Sequence, residues 1–257
     1  MAQTKNAPST LRRLKKSGVF FVLAISVSRL VGASELISSA DIMESKSWSI
    51  TAYGKTEESE PRIKNGSTEL DFEAEHEATG VMLTMRPGDG MHYRMMYGVL
   101  RDYTLEVGSG AFVNKHEAQS DGRQYGFGVR LNGTPVTAVS LGVALDLSYV
   151  RQTVDFERLT SNGAGSALDE RFEQDEFQAA VNISKKWQKI EPYGGVKTSY
   201  VETRILDRAR QSSLYGNKVE WSPFVGLKWE FFQKESLIVE ASFADEKAVS
   251  AGMNIQF

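Results

Sequence analysis

The chain reads VSLGVALDLSY from Val139 to Tyr149, and this stretch decides the fold class. Large apolar residues occupy the odd positions, and Ser, Gly, Ala and Asp occupy the even positions between them. Successive side chains of a β-strand point to opposite faces of a sheet. The period of two therefore predicts a strand with one large apolar face and one small or polar face.

The same alternation recurs towards the C-terminus, and no segment keeps the 3.6-residue period of a helix. Turns of four residues alternate with connections of 13 to 17 residues along most of the chain. Transmembrane barrels combine short periplasmic turns with long extracellular loops in this way. We therefore predict an all-β, antiparallel up-and-down transmembrane barrel of about ten strands, with eight or twelve as the alternative counts. The predicted strands are residues 47–54, 69–86, 91–107, 123–131, 136–150, 174–187, 192–205, 219–231, 236–244 and 248–257.

Length and composition exclude several other classes of protein. The chain has 257 residues, of which 41% are apolar and 25% are charged, and it contains no Cys. The longest uninterrupted apolar run, Val19 to Ile25, is far shorter than the roughly 20 residues of a spanning helix. Without Cys the protein has no disulfide, thiolate metal site or Cys nucleophile.

The N-terminus has the pattern of an export signal. The first 18 residues carry five basic side chains and no acid, a short apolar stretch follows, and small residues precede Ala33. This order predicts a secretory signal peptide over residues 1–33, with cleavage after Ala40 as the alternative. A periplasmic segment, 34–46, would then precede a barrel formed by 47–257.

Export also makes the mature chain acidic. Removal of the signal peptide removes six basic residues and leaves 24 basic and 33 acidic side chains. Binding to nucleic acid is not expected, because phosphates require a basic surface. Export and acidity together favour the envelope of a Gram-negative bacterium.

The polar faces of the strands predict which side of the barrel meets lipid. They are rich in Gly, Ala and Ser, which suit a narrow interior, and they carry both signs of charge. We therefore place the apolar faces towards lipid and expect ion pairs inside the barrel. The predicted ion network of the lumen consists of Arg94, Arg130, Asp146, Lys228 and Glu240.

Aromatic residues lie near both ends of the predicted strands, as they do at the two interfaces of a membrane. Those next to the short turns are Trp187, Tyr193, Trp229, Phe231 and Phe257. Those towards the long connections are Tyr103, Tyr125, Tyr149, Tyr200 and Trp221.

The last eight residues read SAGMNIQF and carry the most specific resemblance. Ser250, Gly252, Ile255 and Phe257 place a polar, a glycine, a hydrophobic and a final aromatic residue in order. This resembles the terminal signal of bacterial outer-membrane β-barrel proteins. The resemblance implies recognition by the barrel assembly machinery and a location in the cell outer membrane, in contact with its lipid and lipopolysaccharide. No motif assigns a particular family among the opacity, OmpA-like and porin-like small barrels.

The sequence offers no catalytic, metal or cofactor site. His76, His92 and His116 lack the His-x-Ser pattern of outer-membrane phospholipases, and no Asp-x-Asp or Asp-x-His pair of omptin proteases occurs. Ligand spacings for metals and Gly-rich phosphate loops are also missing. We therefore predict that the protein is not an enzyme, with a hydrolase at the outer rim as the remaining enzymatic alternative.

The remaining signals concern the outer rim. Five acids share one strand face and would project beyond the membrane, either as an acidic mouth that concentrates cations or as a solvated extension. The predicted function is a structural or surface-interaction barrel with a lumen filled by charged side chains, and the alternative is a narrow, weakly cation-preferring channel. An extracellular partner would bind loops 108–122 and 157–173. The five acids are Glu69, Asp71, Glu73, Glu75 and Glu77.

Overall fold

A computed structural model describes most of the predicted barrel. The signal peptide predicted at 1–33, the segment 34–46 and the start of the strand predicted at 136 lie outside the described residues. No helix in the described part is long and apolar enough to cross a membrane. The described residues are 47–257 with the exception of 66–67, 89, 110–111, 119–120, 134–140 and 162–163.

The described chain consists almost entirely of antiparallel strands. Longer strands than the sequence predicts fill much of the expected loop regions. The strands are β1 (Ser47–Ser59), β2 (Arg62–Asn65), β3 (Thr68–Gly88), β4 (Met91–Ser109), β5 (Phe112–Ala118), β6 (Gly122–Asn132), β7 (Leu141–Ser161), β8 (Ala164–Lys185), β9 (Ile190–Asp207), β10 (Ser212–Phe232), β11 (Glu235–Ser242) and β12 (Glu246–Gln256).

Ten of these strands close into one barrel. Each pairs with its neighbours in the order β1, β3, β4, β6, β7, β8, β9, β10, β11, β12. β12 then pairs with β1 from Ser49↔Gln256 to Ser59↔Glu246, so the ring has no free edge. The predicted up-and-down barrel of about ten strands is confirmed.

The strands are strongly staggered. A row of paired residues that starts at Val219 in β10 passes once around the ring and returns to β10 at Phe232, 13 residues further along the strand. Such a stagger requires strands that tilt against the barrel axis, typically by about 35–45°.

The barrel narrows at the end that carries the long hairpins, which we call the outer end. There β5 takes the place of β6 by pairing with β4 and β7. On the opposite side β2 pairs with β3 and β10 and takes the place of β11, β12 and β1. The outer end is therefore a ring of eight strands, which we call the upper ring.

Two of the expected long loops are largely paired strands. β7 and β8 remain paired up to Ser161↔Ala164, and β9 and β10 up to Asp207↔Ser212. Above the apolar band the outward residues of these strands are mainly charged or polar, while Phe156, Phe172 and Ile205 face inward. The apolar face therefore changes sides, and the pattern of the lower strand does not continue in the sequence.

The large apolar side chains face outward. Met95 and Phe127 are 66% and 62% exposed, while the alternate residues Arg94 and Arg130 are buried inside. An apolar band that surrounds the whole barrel is far larger than the apolar patches of soluble monomers, and lipid is the medium that it fits. The orientation is that of a transmembrane barrel.

Exposed aromatic residues ring both ends of this band. The lower belt includes Trp48, Trp187, Trp229, Phe232 and Phe257, and the upper belt includes Tyr97, Tyr125, Tyr200 and Trp221.

The structure corrects two of the predicted belt residues, Tyr103 and Tyr193, which are buried inside the barrel. In β4 the positive φ of Asp102 accompanies a register shift against β3, and the extra residue inverts the alternation. Tyr103 therefore points inward. Tyr193 points inward because it shares the strand face of the buried Lys197, and its hydroxyl donates to Glu240 at 2.9 Å.

Candidate functional site

The interior of the barrel is the candidate site, and its lower part contains a buried ion cluster. Arg130 donates to Asp146 from Nε at 3.1 Å and from Nη2 at 2.6 Å. Arg94 donates to Oδ1 of the same carboxylate, and Asn182 Nδ2 donates to Oδ2 at 3.1 Å. We call these four residues the lower ion cluster. It links the neighbouring strands β4, β6, β7 and β8 from inside.

Two further contacts involve the other members of the predicted network. Glu240 accepts the hydroxyl of Tyr193, and Lys228 Nζ lies 3.3 Å from a carboxylate oxygen of Glu230. The structure thus joins Arg94, Arg130 and Asp146 through direct hydrogen bonds.

A second set of buried charges lies closer to the outer end. Lys55 pairs with Glu57, and Lys197 pairs with Glu246. Buried ions of this kind are tolerated when they are paired, because removal from water is costly. We call this set the upper polar layer, and its members are Lys55, Glu57, Glu176, Lys197, Glu220 and Glu246.

Sequence reasoning missed most of this layer. It assigned Glu57 and Glu246 to connections between the predicted strands. The available signal was the continued alternation of the polar residues beside them: Lys55, Glu57 and Ser59 are buried in the structure and fall on every second position.

An apolar cluster fills the upper ring above this layer. Tyr103 lies at its base and packs on Phe172, with the ring centroids 5.3 Å apart. His76 stacks on the other side of Tyr103 at 4.8 Å and lies 3.8 Å from Glu57, so it joins the cluster to the upper polar layer. We call this cluster the apolar plug, and it consists of Ile63, Phe72, Ala74, Ala78, Leu100, Tyr103, Leu105, Val154, Phe156, Phe172 and Ile205.

A second apolar group lies between the two charged sets. It contains Tyr53, Met82 and Phe224, with Met96 packed against it. The cavity beside Tyr53, Met82 and Arg94 has a volume of about 20 Å³. This is enough for one water molecule.

The described part of the predicted acidic row lies on the outer wall of the barrel. Glu73 and Glu75 are exposed, while Phe72, Ala74 and His76 between them face inward. The carboxylates of these two glutamates therefore point away from the opening of the barrel, since alternate strand residues face opposite sides. Glu77 is half-buried on the same outer face, and the side chains of the other two acids lie outside the described residues.

The predicted C-terminal signal forms part of the closing seam. Ser250 and Gly252 lie in β12 opposite Lys55 and Tyr53 of β1, and Ser250 faces the lumen. Ile255 pairs with Ile50, while Phe257 lies after the strand and donates its backbone N–H to the Trp48 carbonyl at 2.8 Å.

The outer faces of β7, β8 and β9 carry a ladder of charge pairs above the upper aromatic belt. Arg151 Nη2 donates to Glu173 at 2.7 Å, and Arg171 Nε donates to Asp155 at 2.9 Å. The hydrogen bond from Arg171 holds the pKa of Asp155 below its usual value. Arg208 adds a contact to Asp155, which fastens the β9–β10 turn to the β7–β8 hairpin. We call these contacts the outer charge ladder.

The described residues contain no group of three or more His, Asp or Glu side chains that could hold a metal ion. His76 and His92 are both buried and lie in separate layers, and the side chain of His116 lies outside the description. Neither histidine has a described serine or cysteine nucleophile as its hydrogen-bond partner.

No protein-family model and no curated protein matches the sequence. Among solved structures the barrel is similar to the translocator domain of the autotransporter NalP from Neisseria meningitidis, with 11% identity and a TM-score of 0.47 over 100% of this chain and 99% of that one. The attachment invasion locus protein Ail of Yersinia pestis is similar with 11% identity and a TM-score of 0.38, over 84% and 100% of the two chains. The transport unit of the autotransporter AIDA-I from Escherichia coli has 10% identity and a TM-score of 0.39, over 91% and 97%.

Proposed function

We propose that this protein is a structural or surface-interaction barrel of the bacterial outer membrane whose interior does not conduct ions. One observation carries the proposal: side chains fill the described interior at successive levels. From the outer end these levels are the apolar plug, the upper polar layer, the second apolar group and the lower ion cluster.

The outward apolar band supports a location in the outer membrane. A closed barrel satisfies its backbone hydrogen bonds internally, which lipid requires. The predicted export signal and C-terminal signal agree with delivery through the barrel assembly machinery. The outer leaflet would then bring lipopolysaccharide against the upper aromatic belt.

The hairpins of the outer end support a role in surface interaction. β7 and β8 are 21 and 22 residues long, about twice the 9–11 residues that a tilted strand needs to span a membrane. The outer charge ladder connects them to β9, which gives the protruding wall a defined shape. A rigid wall that rises above the membrane offers an extracellular partner a preformed surface. This wall contains the predicted partner segment 157–173, and β5 lies within the other one, 108–122.

Conductance in planar lipid bilayers tests the proposal. We expect no discrete openings from the purified protein, because the apolar plug and the ion clusters leave no continuous water path through the described interior. A general-diffusion porin, reconstituted in the same membranes, is the positive control for insertion. Reproducible unitary steps would favour the cation-preferring channel instead, and a preference for K⁺ over Cl⁻ would identify it.

A further inference from the structure

We propose that residues 60–65, which comprise β2 and the two residues before it, form a movable lid over the upper polar layer. The lid would admit water and small solutes from outside into the upper part of the barrel while the lower part stays closed. This inference concerns access to one internal layer and goes beyond the proposed function, which concerns conduction through the whole barrel.

One side of the lid is weakly attached. β2 pairs with β10 through a single residue pair, Lys64↔Tyr215, whereas β9 pairs with β10 from Ser212 to Trp229. Lys218 Nζ adds one hydrogen bond to the carbonyl oxygen of Glu60 at 3.3 Å. The seam between β2 and β10 is thus the least paired seam of the upper ring among the described strands.

The other side of the lid is attached more firmly and can serve as the hinge. β2 and β3 form a hairpin with four paired positions, from Arg62↔Asp71 to Asn65↔Thr68. The carbonyl of Pro61 also accepts the backbone N–H of Phe72 at 3.0 Å. The lid therefore opens most easily by rotation away from β10 while it remains joined to β3.

Ile63 fastens the closed lid. Its side chain is fully buried in the apolar plug. β2 also packs tightly on β10, because an added Cβ at Gly216 would lie 1.8 Å from the carbonyl oxygen of Arg62. Burial of one large apolar side chain offsets the scarcity of backbone pairs on this side.

The strands that form the wall beneath the lid end early, and charged side chains lie directly below the lid. β10 pairs with β11 only from Phe224 onwards. Closer to the outer end, β2 is the only described strand that pairs with β10 on that side. Lys218, which holds Glu60, also lies 3.4 Å from the buried carboxylate of Glu220. An open lid would hydrate these ions, and the hydration would offset part of the packing that opening removes.

Thiol labelling tests the lid. Because the chain has no native Cys, only the introduced thiol reacts. The reporter is Ser242→Cys, because Ser242 is buried beside the upper polar layer and its hydroxyl has no hydrogen-bond partner. A charged, membrane-impermeant methanethiosulfonate reagent is added to protein in lipid vesicles, and the rate of labelling is measured by mass spectrometry. We expect slow labelling in the otherwise native chain.

Ile63→Asp should accelerate labelling about tenfold or more, because a carboxylate cannot remain buried in the plug without a partner. Ile205→Asp is the matched control, since it makes the same change in the same plug but on a barrel strand. Equal acceleration by both variants would mean that the plug loosens as a whole, and this result would refute the proposed lid.

A disulfide provides a second test that leaves the plug intact. Lys64 and Tyr215 are directly opposite, so Lys64→Cys with Tyr215→Cys should form a bridge. Oxidation should stop labelling of the reporter and reduction should restore it, whereas a bridge between Lys115→Cys and Thr160→Cys at the β5–β7 seam should have no effect. Labelling that persists with the lid bridged would refute the proposal. Ion conductance by Ile63→Asp would contradict the proposed closed lower barrel and would leave the lid intact.

Discussion

The substitution Asp146→Asn should be among the most destabilising single changes in the barrel. Asp146 is buried and accepts hydrogen bonds from Arg130, Arg94 and Asn182. Asn has nearly the same shape but no charge, so the change isolates the electrostatic contribution. Two guanidinium groups inside the barrel would then lose the carboxylate that they share.

The expected loss follows from the burial of these two guanidinium groups. Arg130 is 1% exposed and Arg94 is 9% exposed, so water compensates neither of them well. Removal of one partner from a buried ion pair costs about 3–5 kcal/mol in other proteins. The upper half of that range applies here if both arginines stay in place, because one carboxylate serves two cations.

Urea unfolding in lipid vesicles measures the effect. Tryptophan fluorescence follows the transition, since the chain contains four Trp and three of them lie in the lower belt. The electrophoretic mobility of unheated samples gives an independent measure of the folded fraction. The matched control is Asp155→Asn, which breaks a half-exposed pair with Arg171 and should cost no more than about 1 kcal/mol.

A loss for Asp146→Asn that is no larger than the loss for Asp155→Asn would refute the reasoning. A third variant separates the charge effect from packing. Simultaneous replacement of Asp146, Arg94 and Arg130 by apolar residues of similar size should be close to neutral, because it removes the desolvation cost together with the attraction.

Two further predictions concern the outward faces. Val181→Arg, at an outward position of β8 that is 51% exposed, should destabilise the barrel by about 2–4 kcal/mol in vesicles, while Val181→Leu should have almost no effect. The same urea assay measures both variants. If Val181→Arg did not change the free energy of unfolding, this face would meet water. Lowering the pH should weaken the β7–β8 hairpin only below about pH 4. Because the pKa of Asp155 is depressed in the folded state, the stability that its ion pairs contribute is complete above the ordinary value of 3.8. This stability is lost as the pH falls through the lower folded pKa. Limited proteolysis of the hairpin as a function of pH, with Asp155→Asn as the insensitive control, should detect this loss of less than about 1 kcal/mol, and a decline that begins near neutral pH would contradict the assignment.

Period-two alternation was sufficient to predict the lower barrel from sequence. Between Leu141 and Tyr149 every large apolar residue is on the outer side and Asp146 is on the inner side, as the pattern indicates. The reason is physical: a wall with lipid on one side and a crowded lumen on the other imposes opposite demands on alternate residues. The inward positions of Arg94 and Arg130 follow from the same argument.

The alternation no longer predicts the direction of a side chain where the outer wall leaves the lipid or where the strand register changes. Above the membrane the outer wall meets water, so the outward residues of β7 and β8 become polar and the strands resemble loops in the sequence. At Asp102 a residue with positive φ shifts the register, and Tyr103 changes sides without any mark in the apolar pattern. The charge pairs of the upper polar layer join residues far apart in the chain, such as Lys197 and Glu246, which local spacing cannot reveal.

The change from ten strands to eight explains why the lid and the upper polar layer occur together. Where β1, β11 and β12 end, the wall loses three strands, and one short strand, β2, must close the gap. A short strand cannot form enough backbone pairs to seal the seam, so closure depends on the burial of Ile63. Charged residues at this level tolerate partial hydration better than apolar residues would, whereas the fully walled barrel below buries its ions permanently. We therefore expect exchange between the outside and the interior at the seam between β2 and β10, while the lower ion cluster holds the barrel together.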